Sequence, residues 1–504
     1  MKKIIAILLI LLMVPAAVLG YEGEKMTYFN GTLTDGAQFD TVHPSYFDIQ
    51  EDGSLKINAI DQALVRQYQS KGTKVEPYLS NHWNREAGIL ALENRQELAV
   101  SVAQAVKDYG LDGVNVDIEN VTHEQRADYV DFVRLLKIEL PDHRVSVAVA
   151  ANPSNWQNGW HGSYDNKALA QVADYLVLMG YDQSYQNGPE GPVAGGDWVE
   201  KSLQQLLKDA PASKVVLAIP FFGRGWSEDG SRKGFSVSQK DVDRLAQNYP
   251  SSKGYDVETR SAYLKFTVPE EGPYPSVIGA KELPAGNYTI WYDDQRAGRY
   301  KISLAEKYQL MGMDSWAFGQ QSPDYPDIFS PDFSYFEDLE GHWGKDEGEA
   351  AYESNLMVGR TETLFVPDET MTRAEAATVL VRLAGLEQET SQTAFADTNG
   401  HWAQNAIGVA KDNGLIQGVG GNRFEPDVQI TRQDFAVMVA NVLDLPAANG
   451  AGFQDVAEDS YAYSSIILLS GHGILMGFED ETFRPLEPVS RIQAAAVAVR
   501  AAAV

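Results

Sequence analysis

Residues Leu111 to Glu119 read L-D-G-V-N-V-D-I-E, with Val114, Val116 and Ile118 alternating with Asn115, Asp117 and Glu119. Successive side chains of a strand point to opposite faces. The spacing therefore predicts a strand over 113–119 with Asn115, Asp117 and Glu119 on one face, Glu119 at its C-terminal tip. Carboxyl groups this close raise one another's pKa, which leaves one of them protonated near neutral pH as a proton donor. An edge strand with a wet face would carry the same alternation.

Outward from that strand, 28–319 alternates short β-branched runs with helical patterns. Strands are expected at 26–30, 45–49, 75–79, 113–119, 145–150, 175–181, 215–221 and 313–318. Helical periodicity falls between them, at 60–70, 95–109, 124–139 and 196–209. Eight strands alternating with helices predict an α/β protein, a (β/α)8 TIM barrel, over 21–332. A turn-rich stretch at about 227–288 breaks the rhythm and reads as a small α+β insertion before the last strand. In such a barrel the chemistry sits where strands end, which is where Glu119 stands.

The chain has 504 residues, 44% hydrophobic and 22% charged, which is a globular composition with room for several domains. A net charge of −29 argues against nucleic acid or anionic lipid as a partner. Lys2 and Lys3 precede an apolar run, Ile4 to Val14, and then small residues through Gly20, so 1–20 is expected to be a signal peptide. That run is too short to span a bilayer, and no transmembrane anchor is expected. The chain has no cysteine, which removes disulfides and thiolate chemistry and fits a Gram-positive-type cell surface. No cofactor and no metal are implied.

After about Asp332 an internal repeat begins. Phe365, Phe424 and Phe483 are 59 residues apart, as are Arg373, Arg432 and Arg491. F-E-D-L-E-G-H-W at Phe336–Trp343 returns as F-A-D-T-N-G-H-W at Phe395–Trp402, and F-Q-D-V-A-E-D-S-Y at Phe453–Tyr461 carries one extra residue and a Tyr for the Trp. Three copies, at 333–394, 395–452 and 453–504, predict a mainly α-helical domain of mutually packed units.

D-G-V-N-V-D-I-E at Asp112–Glu119, M-G-Y-D at Met179–Asp182 and S-W-A-F-G around Trp316 resemble glycoside hydrolase family 18. G-P-V-A at Gly191–Ala194, I-P-F-F-G-R at Ile219–Arg224 and I-W-Y-D-D at Ile290–Asp294 are similar to its branch of spore-cortex N-acetylglucosaminidases. The resemblance implies a retaining hydrolase of N-acetylglucosamine glycans, with peptidoglycan favoured and chitin next. It further implies a substrate-assisted route through an oxazolinium, an exception to the two-carboxylate scheme. It casts Glu119 as acid, Asp117 as acetamide partner and Tyr181 with Asp182 as the acetamide-binding pair. Trp316 would be the floor under the sugar, with Met179 and Asn115 at the substrate; Tyr292, Asn81 and His82 are weaker cleft candidates. Asp112 is expected to support the strand's start. Many members carry Asp where this chain has Asn115; an Asn could hydrogen-bond Asp117 but takes no charge, which bears on the pH optimum.

The repeats resemble surface-layer homology (SLH) modules, which implies a secondary cell-wall polymer as partner and a secreted, cell-wall or S-layer location. T-R-A-E at Thr372–Glu375 is altered to T-R-Q-D at Thr431–Asp434 and to S-R-I-Q at Ser490–Gln493. A helix capping box accounts for the first and fourth residues but not for the arginine. An arginine beside free helix N–H groups makes a carboxylate receptor, so Arg373, Arg432 and Arg491 are the candidate wall-polymer contacts. Trp343 and Trp402 are expected in the core. A non-catalytic glycan-binding barrel and a structural surface-layer protein are the alternatives.

Overall fold

The computed structural model describes residues 22–29, 39–280, 282–323, 328–329, 334–361, 363–387, 389–392, 395–448, 450 and 452–504. The expected signal peptide at 1–20 lies outside the described residues. The chain divides into two compact units, Met1–Phe333 and Ser334–Val504.

The first unit is a (β/α)8 barrel. Its strands are β1 (Glu24–Phe29), β2 (Thr41–Pro44 and Phe47–Ile49), β3 (Lys74–Val75 and Tyr78–Ser80), β4 (Gly113–Asp117), β5 (Arg144–Ala150), β6 (Tyr175–Met179), β7 (Val215–Pro220) and β8 (Gly312–Trp316). β2 and β3 are each broken beside a proline, Pro44 and Pro77, which has no N–H to give the ladder. The break does not open the ring. Thr41–Pro44 joins β1 to Lys74–Val75, Phe47–Ile49 joins Tyr78–Ser80, and that half joins β4. β4 through β8 then pair in order, and β8 returns to β1, every pairing parallel.

β4 is buried along its whole length, so it is no wet edge. In a closed barrel one face of each strand meets the outer helices and the other the interior. Tyr28, Tyr78, Tyr175, Val177 and Val216 fill the interior. An ionic cluster joins them: His43 Nε2 lies 3.3 Å from Asp314, and Glu76 accepts from the Tyr175 hydroxyl at 2.6 Å and pairs with Arg144 at 3.0 Å. Burial alone would lower the His43 pKa, but Asp314 and Glu76 raise it overall.

The insertion is wider than its turn-rich text. Its five-stranded antiparallel sheet begins at Phe222, directly after β7, ends at Tyr292, and packs the helix Gln239–Asn248. Tyr292 is 7% exposed in the insertion's own core, which corrects its expected place in the cleft.

The second unit holds six α-helices among its described residues, two per repeat. The second helix of each repeat packs on the first helix of the next: Arg373–Leu383 on Gln404–Asp412, Arg432–Val442 on Tyr463–Gly471, and Arg491–Ala502 back on Lys345–Glu353. The third repeat thus closes on the first. Phe365, Phe424 and Phe483 are each about fully buried, at the same place in each copy.

Candidate functional site

At the C-terminal end of the barrel strands a cavity of about 210 Å³ is lined by Tyr28, Asp117, Glu119, Met179, Tyr181, Asp182 and Trp316, with Phe222, Arg224, Ser236 and Ile278 from the insertion. Six of the expected residues, Asp117, Glu119, Met179, Tyr181, Asp182 and Trp316, therefore meet there from three strand ends, those of β4, β6 and β8.

The expected strand to Glu119 stops at Asp117, because side chains take over from the ladder. Ile118 N donates to the Tyr129 hydroxyl at 3.3 Å, and the Tyr164 hydroxyl donates to Ile118 O at 3.3 Å. Glu119 N donates to Asn81 Oδ1 at 2.9 Å, and Asn81 Nδ2 donates to Glu119 O at 2.8 Å. Asn81 is thus a positioning residue beneath the acid and does not line the cleft. His82 does not line it either; its Nε2 pairs with Asp48 at 2.8 Å and its side chain faces solvent. Asp112 accepts from Val75 N at 2.8 Å and supports the start of β4.

Burial, and then the charges of Asp117 and Asp182, push the Glu119 carboxyl well above the usual range. Burial also raises Asp117, to about 6, while a hydrogen bond from Ser80 and the charge of His82 pull it down. Both carboxyls are thus raised, and an ionised Asp117 favours the protonated form of Glu119, the pattern of a proton donor beside a carboxylate.

Asn115 is fully buried and does not line the cavity, so the expected substrate contact is corrected. Nor does its amide bond Asp117. Oδ1 accepts from the Tyr28 hydroxyl at 2.8 Å and Nδ2 donates to Ser146 Oγ at 2.8 Å. Those partners sit on β1 and β5, out of reach of any local pattern.

Trp316 packs against Tyr28 and Tyr78, ring centroids 5.1 and 5.7 Å away, and stays partly open to the cavity. Tyr181 meets Phe222 edge-on at 5.7 Å. Sequence reasoning gave Arg224 no role. Its Nε and Nη2 both donate to Asp182 Oδ1, at 2.9 and 2.7 Å, and Nη1 donates to Ser236 Oγ at 2.7 Å. The arginine closing I-P-F-F-G-R, right after a barrel strand, was the available signal.

In the repeats the capping boxes form at Thr372 with Glu375 and at Ser490 with Gln493, and Thr431 caps through Asp434 N. The arginines point away from their own helix starts. Arg373 Nε donates to Phe424 O at 2.8 Å, Arg432 Nε to Phe483 O at 2.8 Å, and Arg491 Nε to Phe365 O at 2.8 Å. Each guanidinium lies over the ring of the same phenylalanine. A second nitrogen reaches Gln417 O, Met476 O or Val358 O of that neighbouring repeat. Arg373 and Arg491 are buried latches between repeats, which corrects their expected place as carboxylate receptors. Arg432 alone of the three lines a cavity, of about 350 Å³, with Trp343, Met476, Phe478, Gln493 and Arg500. Trp343 and Trp402 are 65% and 67% exposed, and Tyr461 at the same repeat position 64%, which overturns their expected burial.

Among the described residues no helix is long and apolar enough to cross a membrane. The family described as glycosyl hydrolases family 18 matches residues 17–321, and the S-layer homology domain matches 335–377, 394–436 and 452–495. The cortical fragment-lytic enzyme of Bacillus subtilis is 24% identical over 57% of this chain and 66% of its own length. The chain spans about two thirds or less of the curated relatives it first matches. Two crystal structures share the barrel fold. The chitinase from Chromobacterium violaceum has a TM-score of 0.53 and 23% identity, covering 61% of this chain and 98% of that one. The Bacillus cereus spore cortex-lytic enzyme SleL has a TM-score of 0.53 and 20% identity, covering 63% and 75%.

Proposed function

The chain belongs to family 18 of the glycosyl hydrolases, and on that premise we propose a retaining glycosidase that cleaves β-1,4 bonds beside N-acetylglucosamine, with peptidoglycan the first substrate and chitin the next. The observation that carries this is the carboxyl pair: Glu119 and Asp117 line one cavity with Tyr181 and Trp316, and burial raises both carboxyls. Protonated Glu119 donates to the glycosidic oxygen as the bond to the anomeric carbon breaks. The substrate's acetamide oxygen attacks that carbon and forms an oxazolinium. Ionised Asp117 stabilises the positive charge spreading onto the acetamide nitrogen. Tyr181 orients the acetamide, and Trp316 supports the ring's apolar face. Glu119, now a carboxylate, takes a proton from the water that opens the oxazolinium, which restores the acid and retains configuration. Arg224 holds Asp182 in place at the cavity edge.

The S-layer homology repeats associate the protein with the cell surface. For the secondary wall polymer we favour the exposed Trp343, Trp402 and Tyr461, with Arg432 and Arg500 beside Trp343 supplying positive charge for an anionic chain. The enzyme proposal is tested by incubating the full chain, beside a Glu119→Gln variant, with N-acetylglucosamine oligomers and with peptidoglycan. Released product from the unsubstituted chain only is expected; equal, negligible product from both on every glycan would refute it.

A further inference from the structure

Below the cavity floor the barrel interior holds charges where branched apolar side chains ordinarily pack. His43 on β2, Glu76 in the break of β3 and Asp314 on β8 are fully buried, and none of the three lines the cavity. Their contacts assign the His43 protons. Nδ1 lies 2.8 Å from Glu76 O, which only accepts, so Nδ1 carries a hydrogen. Nε2 faces the Asp314 carboxylate at 3.3 Å, and a proton there joins the two as an ion pair.

The groups around the imidazole match that charge. Glu76 binds Arg144 of β5 at 3.0 Å and accepts from Tyr175 of β6 at 2.6 Å. Toward solvent, Glu24 of β1 also binds Arg144 at 3.0 Å, and Lys74 of β3 lies 3.9 Å from Glu24. With His43 protonated, the cations His43 and Arg144 offset the carboxylates Asp314 and Glu76. A neutral His43 would leave Asp314 without a countercharge in a low-dielectric interior, which opposes that state.

Two routes join this layer to the cavity floor. Asp314 and Trp316 are two residues apart on β8, so both take its inward face. β1 stands between β2 and β8 in the sheet, so the His43–Asp314 pair bridges across it. Tyr28 is the β1 residue at that crossing, its ring 4.8 Å from His43 and 5.1 Å from Trp316. We propose that His43, as an imidazolium bound to Asp314, is a positioning residue that holds Tyr28 and Trp316 for the sugar bearing the anomeric carbon. This rests on the glycosidase proposal above, which seats that sugar on Trp316. A floor fixed beforehand needs little ordering when the sugar arrives, and a displaced one costs affinity.

The test uses the full chain carrying Glu119→Gln, so that bound sugar is not consumed, with isotope-labelled histidine for NMR. At about pH 7 the His43 ring should be doubly protonated, where an ordinary histidine is mostly neutral. The N-acetylglucosamine trimer should shift the His43 ring signals, which a pair serving only to fold the barrel would not show. His43→Gln removes and so assigns those signals, and Asp314→Asn should make the ring neutral. Each substitution should weaken trimer binding about tenfold, and the two together no further, since they break one unit. The ring's N–H protons are sealed from water and exchange slowly, which identifies them even if neither variant folds. A neutral His43 at about pH 7, signals indifferent to the trimer, no trimer binding, or full binding in both variants would overturn the positioning role. Trimer binding coupled to His43, with no hydrolysis by the unsubstituted chain, would retire the glycosidase proposal and leave this role standing. Hydrolysis beside an indifferent His43 would do the reverse.

Discussion

The side-chain amide of Asn81 closes on both polar atoms of the Glu119 peptide, accepting from its N–H at 2.9 Å and donating to its carbonyl at 2.8 Å. Asn81 is 1% exposed, so no water replaces either bond when the amide is removed. Asn81→Ala is expected to lower kcat by about 100-fold with a small change in KM, since misplacing the acid affects the reacting geometry more than binding. Steady-state kinetics check this. A KM defect with normal kcat would place Asn81 at the substrate instead.

The carboxyl pair sets the pH profile. Activity needs Asp117 ionised and Glu119 protonated, so kcat/KM should fall below about pH 6 and again above the raised pKa of Glu119. Asn115→Asp would place a carboxylate that both the Tyr28 and Ser146 hydroxyls can donate to, favouring its charged form. That new charge opposes ionisation of Asp117, so the acidic limb should move to higher pH, by about one unit. An unmoved limb would mean that position 115 does not couple to Asp117.

Glu119 is costly to ionise where it lies. A carboxyl whose folded pKa is raised favours the folded state fully below its unfolded pKa, and that contribution is lost as pH rises through the folded pKa. Glu119→Gln carries no such charge. Its melting temperature should exceed that of the unsubstituted chain by a few degrees at pH 8, with the gap narrowing toward pH 4. Melting curves with a gap independent of pH would contradict the raised pKa.

The barrel was legible where the period-2 pattern was local. β4, β5, β6, β7 and β8 lie within their expected runs to about a residue or two, because their β-branched residues alternate without interruption. The splits at Pro44 and Pro77 left β2 and β3 faint, and only their pairing shows each as one strand position. Asp117, Glu119, Tyr181 and Trp316 were legible as strand-end residues in motifs. Asn115 was misjudged because its partners are 31 and 87 residues away. Arg373 and Arg491 were misjudged for the same reason: the carbonyls they hold belong to another repeat, 51 or 126 residues distant. Trp343 and Trp402 look like core in isolation, and no pattern within one repeat signals that the closed ring leaves that position outside.

The latches and the exposed aromatics separate stability from binding in the repeats. Arg373→Ala strips partners from the carbonyls of Phe424 and Gln417, and should destabilise the repeat unit by about 2–4 kcal/mol. Trp343→Ala removes an exposed ring and should leave melting unchanged while weakening retention on purified cell walls. Wall pull-down beside calorimetry decides: Trp343→Ala with full wall retention would count against the aromatic surface, and Arg373→Ala with unchanged melting against the latch.

The central claim is that Glu119 delivers the proton and the substrate's own acetamide makes the attack. It is tested most directly by following the anomeric configuration of freshly released product by proton NMR during hydrolysis of an N-acetylglucosamine oligomer. The β anomer is expected first, appearing before mutarotation, with a rate lower by about 100-fold or more in the Glu119→Gln chain. The α anomer appearing first, or β product formed as fast by the Glu119→Gln chain, would contradict it.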